Sequence, residues 1–427
     1  MKDHVKRRLD NLNTSDLEAW WAAHRTFLLR AAIALMVIAA MFWLGYQFWR
    51  LLWDPSPKGA IDLKQRYEET SLWFGGKCVY DTLTTATYPP ATYALLWPFL
   101  GWVTIAQAKW LWAATTVLAL GWLIRLFLKE RLAQTNLERV FVALIPLSIY
   151  GSGATIGNGQ LMVHLLPCLL TSLLLLAKGK GLWRYDLLAA CLMIFALAKP
   201  SASAAFFWIV LFFPKRLRPS LLVVSGYVGL TVLAGTFQEL NLIELLHRWI
   251  ASSRETLTHT AVKYSNSNLH SWSAYFELEK WCPAGSMLIL MGLGVWTYCY
   301  RKADLWLLIG VTALVTRFHT YHAWYDDLLV SLPVITLFRI AKYGRLKEGY
   351  NSAAGLLLAV TLLLLVAPGG LYLFPYPWNS LYVQAQTFVW VSLLIFLLFY
   401  VRQEKKARAE GQDRRGSSHE SLPVHRC

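Results

Sequence analysis

Charge is what this sequence has least of. Only 15% of its 427 residues are Asp, Glu, Lys or Arg, where a soluble globular domain carries about 25%. With 56% hydrophobic residues, 21 tryptophans and a mean hydropathy of +0.40, that shortage excludes an ordinary soluble fold. Cysteine is scarce too. The six cysteines make no metal-binding pattern, which removes a structural zinc site from consideration. Cys168, Cys191 and Cys299 fall in or beside apolar runs and read as small core residues. Cys78 and Cys282 fall outside those runs, where a disulfide between them stays open. Gly/Ser and Pro linker tracts are missing, so no separate soluble domain is expected. No internal repeat of fixed period is present, which disfavours inverted-repeat transporters. The apolar run from Ala31 is not followed by a small-residue cleavage site, so the first helix is expected to be retained.

What the chain does have is apolar runs of roughly 17–25 residues, the length that crosses a bilayer as helix. They predict an all-α, polytopic transmembrane bundle with helices near 28–49, 107–127, 138–156, 160–177, 183–199, 201–214, 219–237, 284–300, 304–317, 325–341, 353–373 and 384–401. That is about twelve spans, with both termini cytoplasmic: a segment 1–27, a membrane domain 28–401 and a basic tail 402–427 expected to be disordered. The net charge of +16 belongs to this topology and not to nucleic acid. Loops assigned inside (125–139, 178–184, 215–218, 301–302 and 339–347) hold 16 lysines and arginines, whereas the short outer connections hold two, Lys199 and Arg317. Such asymmetry is the positive-inside bias. It also settles YALLWPFLGW (93–102) as a helix lying at or dipping into the outer interface, because a thirteenth span would put every later basic loop outside.

Two long loops, 50–106 and 238–283, then fall outside. In the first, Leu63, Arg66-Tyr67, Thr70 and Trp73-Phe74 recur near helical spacing, which predicts a short helix on the membrane surface. Asp62 stands at its start. Either it caps the helix, or it is a carboxylate at the water–lipid boundary able to act as general base. Asp54, Glu68, Glu69 and Asp81 read as solvated loop charges. Tyr88-Pro89-Pro90 predicts an extended approach to the 91–102 helix, with proline in its first turn.

Three further polar clusters fall on the same side. GSGATIGNGQ (151–160) is either a tight turn between helices or a glycine-lined anion site, with Asn158 and Gln160 able to bond a sugar or phosphate. Lys199, before Pro200, either snorkels or meets a phosphate, since no acid is close in sequence. In RFHTYHAWYDD (317–327), His319 and His322 are spaced to share a helix face, with Asp326 one turn beyond. They fit a phosphate clamp with Arg317 better than a metal site. Helix middles are mostly Leu, Val and Ala, with His164 the main exception. One-sided polarity favours an enzyme at the outer leaflet over a transporter.

The order of these elements resembles the GT-C type integral-membrane glycosyltransferases, most closely glycosyltransferase family 87. The resemblance rests on Asp62, on Phe74, Gly75 or Gly76 and Tyr80, on Tyr88-Pro89-Pro90, on GNGQ (157–160), on Lys199-Pro200 and on the cluster 319–327. It spans roughly residues 30–345. Leu161-Met162-Val163 after Gln160 departs from the family's usual Gly-Gln-x-Asn, and SNSNLHSW (265–272) fits its Asn element, through Asn268 and Ser271, only loosely. The resemblance implies a sugar donor carried on polyprenyl phosphate and a lipid- or envelope-linked glycan acceptor. It further implies inverting transfer on the outer face of the inner (plasma) membrane, with Asp62 as base. Lys199, Arg317, His319, His322, Asn158, Gln160, Tyr88 and Asn268 are then expected to bind the donor and its phosphate. No cofactor is expected, and the partners are membrane lipids, donor and acceptor. A lipid-linked glycan flippase and a lipid-linked glycan ligase are the alternatives.

Overall fold

Apolar runs become helices, and in a computed structural model of the chain the described residues form helices throughout, apart from one antiparallel bridge between Ile149 and Val366. The structure describes residues 14–129, 133–179, 181–214, 216–263, 268–269, 273, 276–320, 322–344 and 346–419. The long loop 50–106 contributes α2 (Ile61–Phe74), α3 (Val79–Thr82) and α4 (Pro90–Leu100) after the long α1 (Thr14–Leu52). There follow α5 (Ile105–Lys129), α6 (Asn136–Ser148), α7 (Tyr150–Asn158), α8 (Met162–Lys178), α9 (Trp183–Ala196), α10 (Pro200–Ser203), α11 (Phe207–Leu211) and α12 (Arg218–Gly235). The long loop 238–283 holds α13 (Leu242–Lys263), and α14 (Cys282–Tyr300), α15 (Leu305–His319), α16 (Ser331–Tyr343), α17 (Glu348–Leu365) and α18 (Trp378–His419) complete the order.

Six of these helices are long and apolar enough to cross a membrane: α1, α5, α12, α14, α17 and α18. The pair α7 and α8, bent by 117°, would make a seventh. Twelve spanning helices were expected. The difference lies in breaks and short elements. The 138–156 run splits at Ile149, whose backbone is extended, and turns again at Gly159. The 201–214 run becomes α10, a 3-10 turn over Ala204–Phe206 and α11. The 325–341 run opens with a 3-10 segment, Trp324–Val330, before α16. Helices of 13, 14 and 15 residues, α6, α9 and α15, reach only ~20–23 Å at 1.5 Å per residue, short of a ~30 Å hydrocarbon core.

Local chemistry sets the helix starts. Thr135 and Glu138 form a reciprocal capping box on α6, and Asp304 accepts the Trp306 N–H at the start of α15. The tail expected to be disordered instead continues α18 to His419. Glu404–Arg408 and Lys406–Glu410 pairs at i,i+4 support that extension.

At the core lies α7, buried at all nine positions, packed between α1 and the 3-10 segment. Outward faces stay apolar, as lipid requires: Met41, Phe42, Leu118 and Phe388 are each more than 70% exposed. The same holds for Cys191 and Cys299, which are exposed and not core residues, whereas Cys168 is buried. Cys78 and Cys282 are both free thiols. Cys282 instead contacts the Ser273 hydroxyl.

The polar groups at the two ends of α9 and α15 sort into two sets. Asp186 with Arg216 and Arg218, Asp304 with Arg339, and Glu138 with Lys342 pair at one end. Lys199, Arg317 and the 3-10 segment gather at the other, where α2 and α4 lie. Exposed Trp97 and Trp102, stacked at 6.5 Å, line that end of α4, the placement of an interfacial aromatic belt.

Candidate active site

The site begins with how α2 is seated. Ala60, in the left-handed region at φ 51°, precedes it in the position expected for Asp62, which lies instead within the first turn. The Ala60 N–H donates to the Gly157 carbonyl at 3.1 Å, and fully buried Leu63 sits on Gly159, which holds φ +72°. A Cβ on Gly159 would fall 2.5 Å from that of Leu63, so the glycine permits the approach. α2 is thereby pinned to the α7–α8 turn, and Asp62 meets Gln160, whose side chain hydrogen-bonds to it. The second oxygen, Oδ2, is buried with no partner among the described residues. Burial pushes the Asp62 pKa above the usual carboxylate range, against the pull of Arg66 and Lys199.

Asp62 opens on a cleft of about 400 Å³. Arg66, Tyr88, Gln160, Lys199 and Asp326 line it. Asp326 Oδ1 lies 2.5 Å from Lys199 Nζ, and its Oδ2 lies 3.0 Å from His322 Nδ1. His322 Nε2 lies 3.1 Å from the Ser201 carbonyl. Asn268 in turn donates to the His322 carbonyl at 3.2 Å. The frame is tied by main-chain acceptors. Thr92 donates to the Ala198 carbonyl at 2.8 Å, linking α4 to the end of α9. Tyr80 donates to the Tyr88 carbonyl at 2.7 Å. From α13, Trp249 and Ser252 donate to the Thr87 and Ala86 carbonyls, and Trp249 lines the cleft mouth.

The structure brings four expected residues together in the cleft: Asp62, Tyr88, Gln160 and Lys199. Others lie behind it. Arg317 gives its Nε to Asp327 at 2.7 Å and stacks on Trp390 at 5.1 Å, while Asp327 also accepts from the Tyr150 hydroxyl. α15 ends at His319, and Thr320 is extended, so His319 and His322 share no helix face. The His319 ring contacts the Thr316 carbonyl. Asn158 accepts from Arg50 at 3.0 Å and stands outside the cleft lining. At the end of the glycine run, Gly159 N–H and Gln160 N–H donate to the Ile156 and Thr155 carbonyls and close the turn on itself. Tyr321 and Ser271 lie outside the described residues.

Two residues escaped the sequence reading. Glu69 is fully buried, not solvated. It pairs with Arg66 at 2.8 Å and accepts from the Tyr93 hydroxyl at 3.3 Å, and burial lifts its pKa to about 7. Arg66 is 5% exposed, with its guanidinium 4.2 Å over the Tyr88 ring. The signal was present: Asp62, Arg66 and Glu69 stand at i, i+4 and i+7, one stripe of a helix. Glu68 and Asp81 are exposed, as expected, and Asp81 pairs with Arg248. Half-buried Asp54 accepts the Ser56 N–H. His164, the mid-helix exception, meets Thr115 at 3.0 Å and Trp112 at 4.6 Å.

The model of glycosyltransferase family 87 matches residues 86–368, well over half of the chain. The chain belongs to glycosyltransferase family 87. Searches of the curated proteins and of the solved structures return no match. In this family 87 enzyme the matched stretch includes Tyr88, Gln160, Lys199 and Asp326 and begins after α2, so Asp62 and Arg66 enter the site on geometry. A glycosyltransferase must accept a proton from a hydroxyl and hold a departing anion. The cleft of this enzyme offers a carboxylate oxygen without a partner and two cationic side chains within one concavity.

Proposed function

We propose that this glycosyltransferase moves a sugar from a polyprenyl-phosphate-linked donor to a lipid- or envelope-linked acceptor, inverting the anomeric centre, with Asp62 as general base. The observation that carries the reading is the unpartnered Oδ2 of Asp62. The other cleft carboxylate, Asp326, has both oxygens engaged by Lys199 and His322. The acceptor hydroxyl gives its proton to Asp62 as its oxygen bonds to the anomeric carbon. The bond from that carbon to the phosphate oxygen breaks, and the electron pair leaves with the phosphate. A single displacement inverts configuration. Gln160 orients the base, and Lys199 and Tyr88 face the donor. Arg317, His319, His322, Asn158 and Asn268 support the walls from behind. The excess of basic residues in the loops away from the cleft supports an outward-facing site in the plasma membrane.

Asp62→Asn tests the reading. General-base removal costs ~10²–10⁴ in rate, so transfer in membranes should fall by at least that range while the protein still folds. Near-normal turnover would overturn Asp62 as base. Donor crossing liposomes with no new glycosidic bond would show a flippase instead.

A further inference from the structure

The cations expected to hold the donor phosphate are engaged elsewhere. Lys199 is bound to Asp326, and Arg317 to Asp327 behind the cleft. Arg66 differs. Its Nη2 reaches Glu69 at 2.8 Å, its plane rests on Tyr88, and its Nη1 is buried without a partner among the described residues. A buried guanidinium nitrogen without a hydrogen-bond acceptor is costly. The cost is recovered when an acceptor enters the cleft that Arg66 lines. With stem and plane fixed, the fork loses little entropy on binding, and its planar donors match phosphate oxygens better than an ammonium does. One helical turn separates Arg66 from Asp62, so the base and the guanidinium rise from the same face of α2 into the one cleft, with room for the reacting carbon between them.

We propose that Arg66 is the cation on which the donor's phosphate sits, Nη1 donating to a non-bridging oxygen while Lys199 stays with Asp326. Glu69 competes for the same guanidinium, and its carboxyl, protonating at about 7, competes least when neutral. The proposal rests on reading the cleft as the donor site, and the experiment separates the two.

Purified full-length protein in detergent is titrated with radiolabelled farnesyl phosphate, and separately with inorganic phosphate, for the wild type, Arg66→Gln/Glu69→Gln, Arg66→Lys, Glu69→Gln and Asp62→Asn. A hydrogen bond to a charged group contributes ~1.5–3 kcal/mol, so the double variant should bind farnesyl phosphate about ten-fold or more weakly. Arg66→Lys should fall between, and Glu69→Gln should bind at least as tightly as the wild type. Asp62→Asn should bind normally and transfer no sugar. Parallel loss of inorganic phosphate binding supports recognition of the phosphate alone; loss for farnesyl phosphate only supports recognition of the lipid-linked group. Should the double variant fail to fold, Arg66→Lys carries the test. Binding within about two-fold of wild type in a folded Arg66 variant overturns the proposal, as does a wild type that binds neither probe. Transfer by Asp62→Asn alongside lost binding in the Arg66 variants overturns the base and leaves Arg66 standing.

Discussion

Lys199 Nζ lies 2.5 Å from Asp326 Oδ1, across 127 positions of sequence, and both side chains are nearly buried. A charge pair at that depth ties the start of α10 to the 3-10 segment, and its two halves are unequal to their sum. Removing one partner strands the other charge, at a cost of about 3–5 kcal/mol. Replacing both with apolar groups of similar size is close to neutral. Lys199→Met should therefore lower stability in detergent by that amount, and Lys199→Met/Asp326→Leu should recover part of it, the remainder being the cost of leaving His322 Nδ1 without Asp326. Equal melting of both variants would show that the pair does not couple these elements.

Gly159 should tolerate no side chain. Its φ of +72° and the 2.5 Å approach to Leu63 Cβ predict a loss of about 1–3 kcal/mol on Gly159→Ala, measured by chemical unfolding. Transfer should fall further than stability explains, because the turn seats α2 and with it Asp62.

Trp73 anchors α2 to α4 and α12. It is fully buried, stacks on Tyr93 at 4.6 Å and donates to the Ala234 carbonyl at 3.0 Å. Trp73→Ala should cost about 3–5 kcal/mol. Trp73→Phe should cost less, since it keeps the stack and loses the hydrogen bond. A Phe variant as unstable as the Ala variant would place the stabilisation in the hydrogen bond.

Glu69 and Asp62 give two pH signatures. Burial lifts the Glu69 pKa from its ordinary value near 4.5 to about 7, so folding takes up a proton between those values. Stability should then decline as pH rises through that window and level off above it. Glu69→Gln, which carries no charge, should flatten the decline. Asp62, also raised by burial, must be a carboxylate to accept a proton. The acidic limb of transfer activity should accordingly sit above the ordinary carboxylate range. A limb at an unshifted value would separate the base from this burial.

Asp62, Tyr88, Gln160 and Lys199 were legible in the sequence because each is polar beside an apolar run, and loop charge put all four on one side. Their partners were not. Asp326 reaches Lys199, Asp327 reaches Arg317 and Arg50 reaches Asn158 only through tertiary packing, so residues that looked free for a phosphate are held by side chains far along the chain. Arg66 and Glu69 were hidden for the opposite reason. Their spacing from Asp62 was in view, but in a polar loop charged residues read as solvated until the elements covering them are known. Long apolar runs became helices near the expected boundaries, whereas the extended backbone at Ile149 and the 3-10 turn Ala204–Phe206 broke runs whose apolar content alone predicted continuous spans.

The cleft's frame is hung on carbonyl oxygens: those of Ala86, Thr87, Tyr88, Ala198 and Ala234. A carbonyl acceptor is indifferent to the side chain its residue carries. Residues such as Thr87 and Ser201 along the cleft can therefore be exchanged for bulkier, smaller or differently bonding ones while the walls keep their spacing. A scaffold of this kind separates the placement of the reactive carboxylate from the fit to a particular sugar, and lets selectivity drift or be engineered at the lining alone.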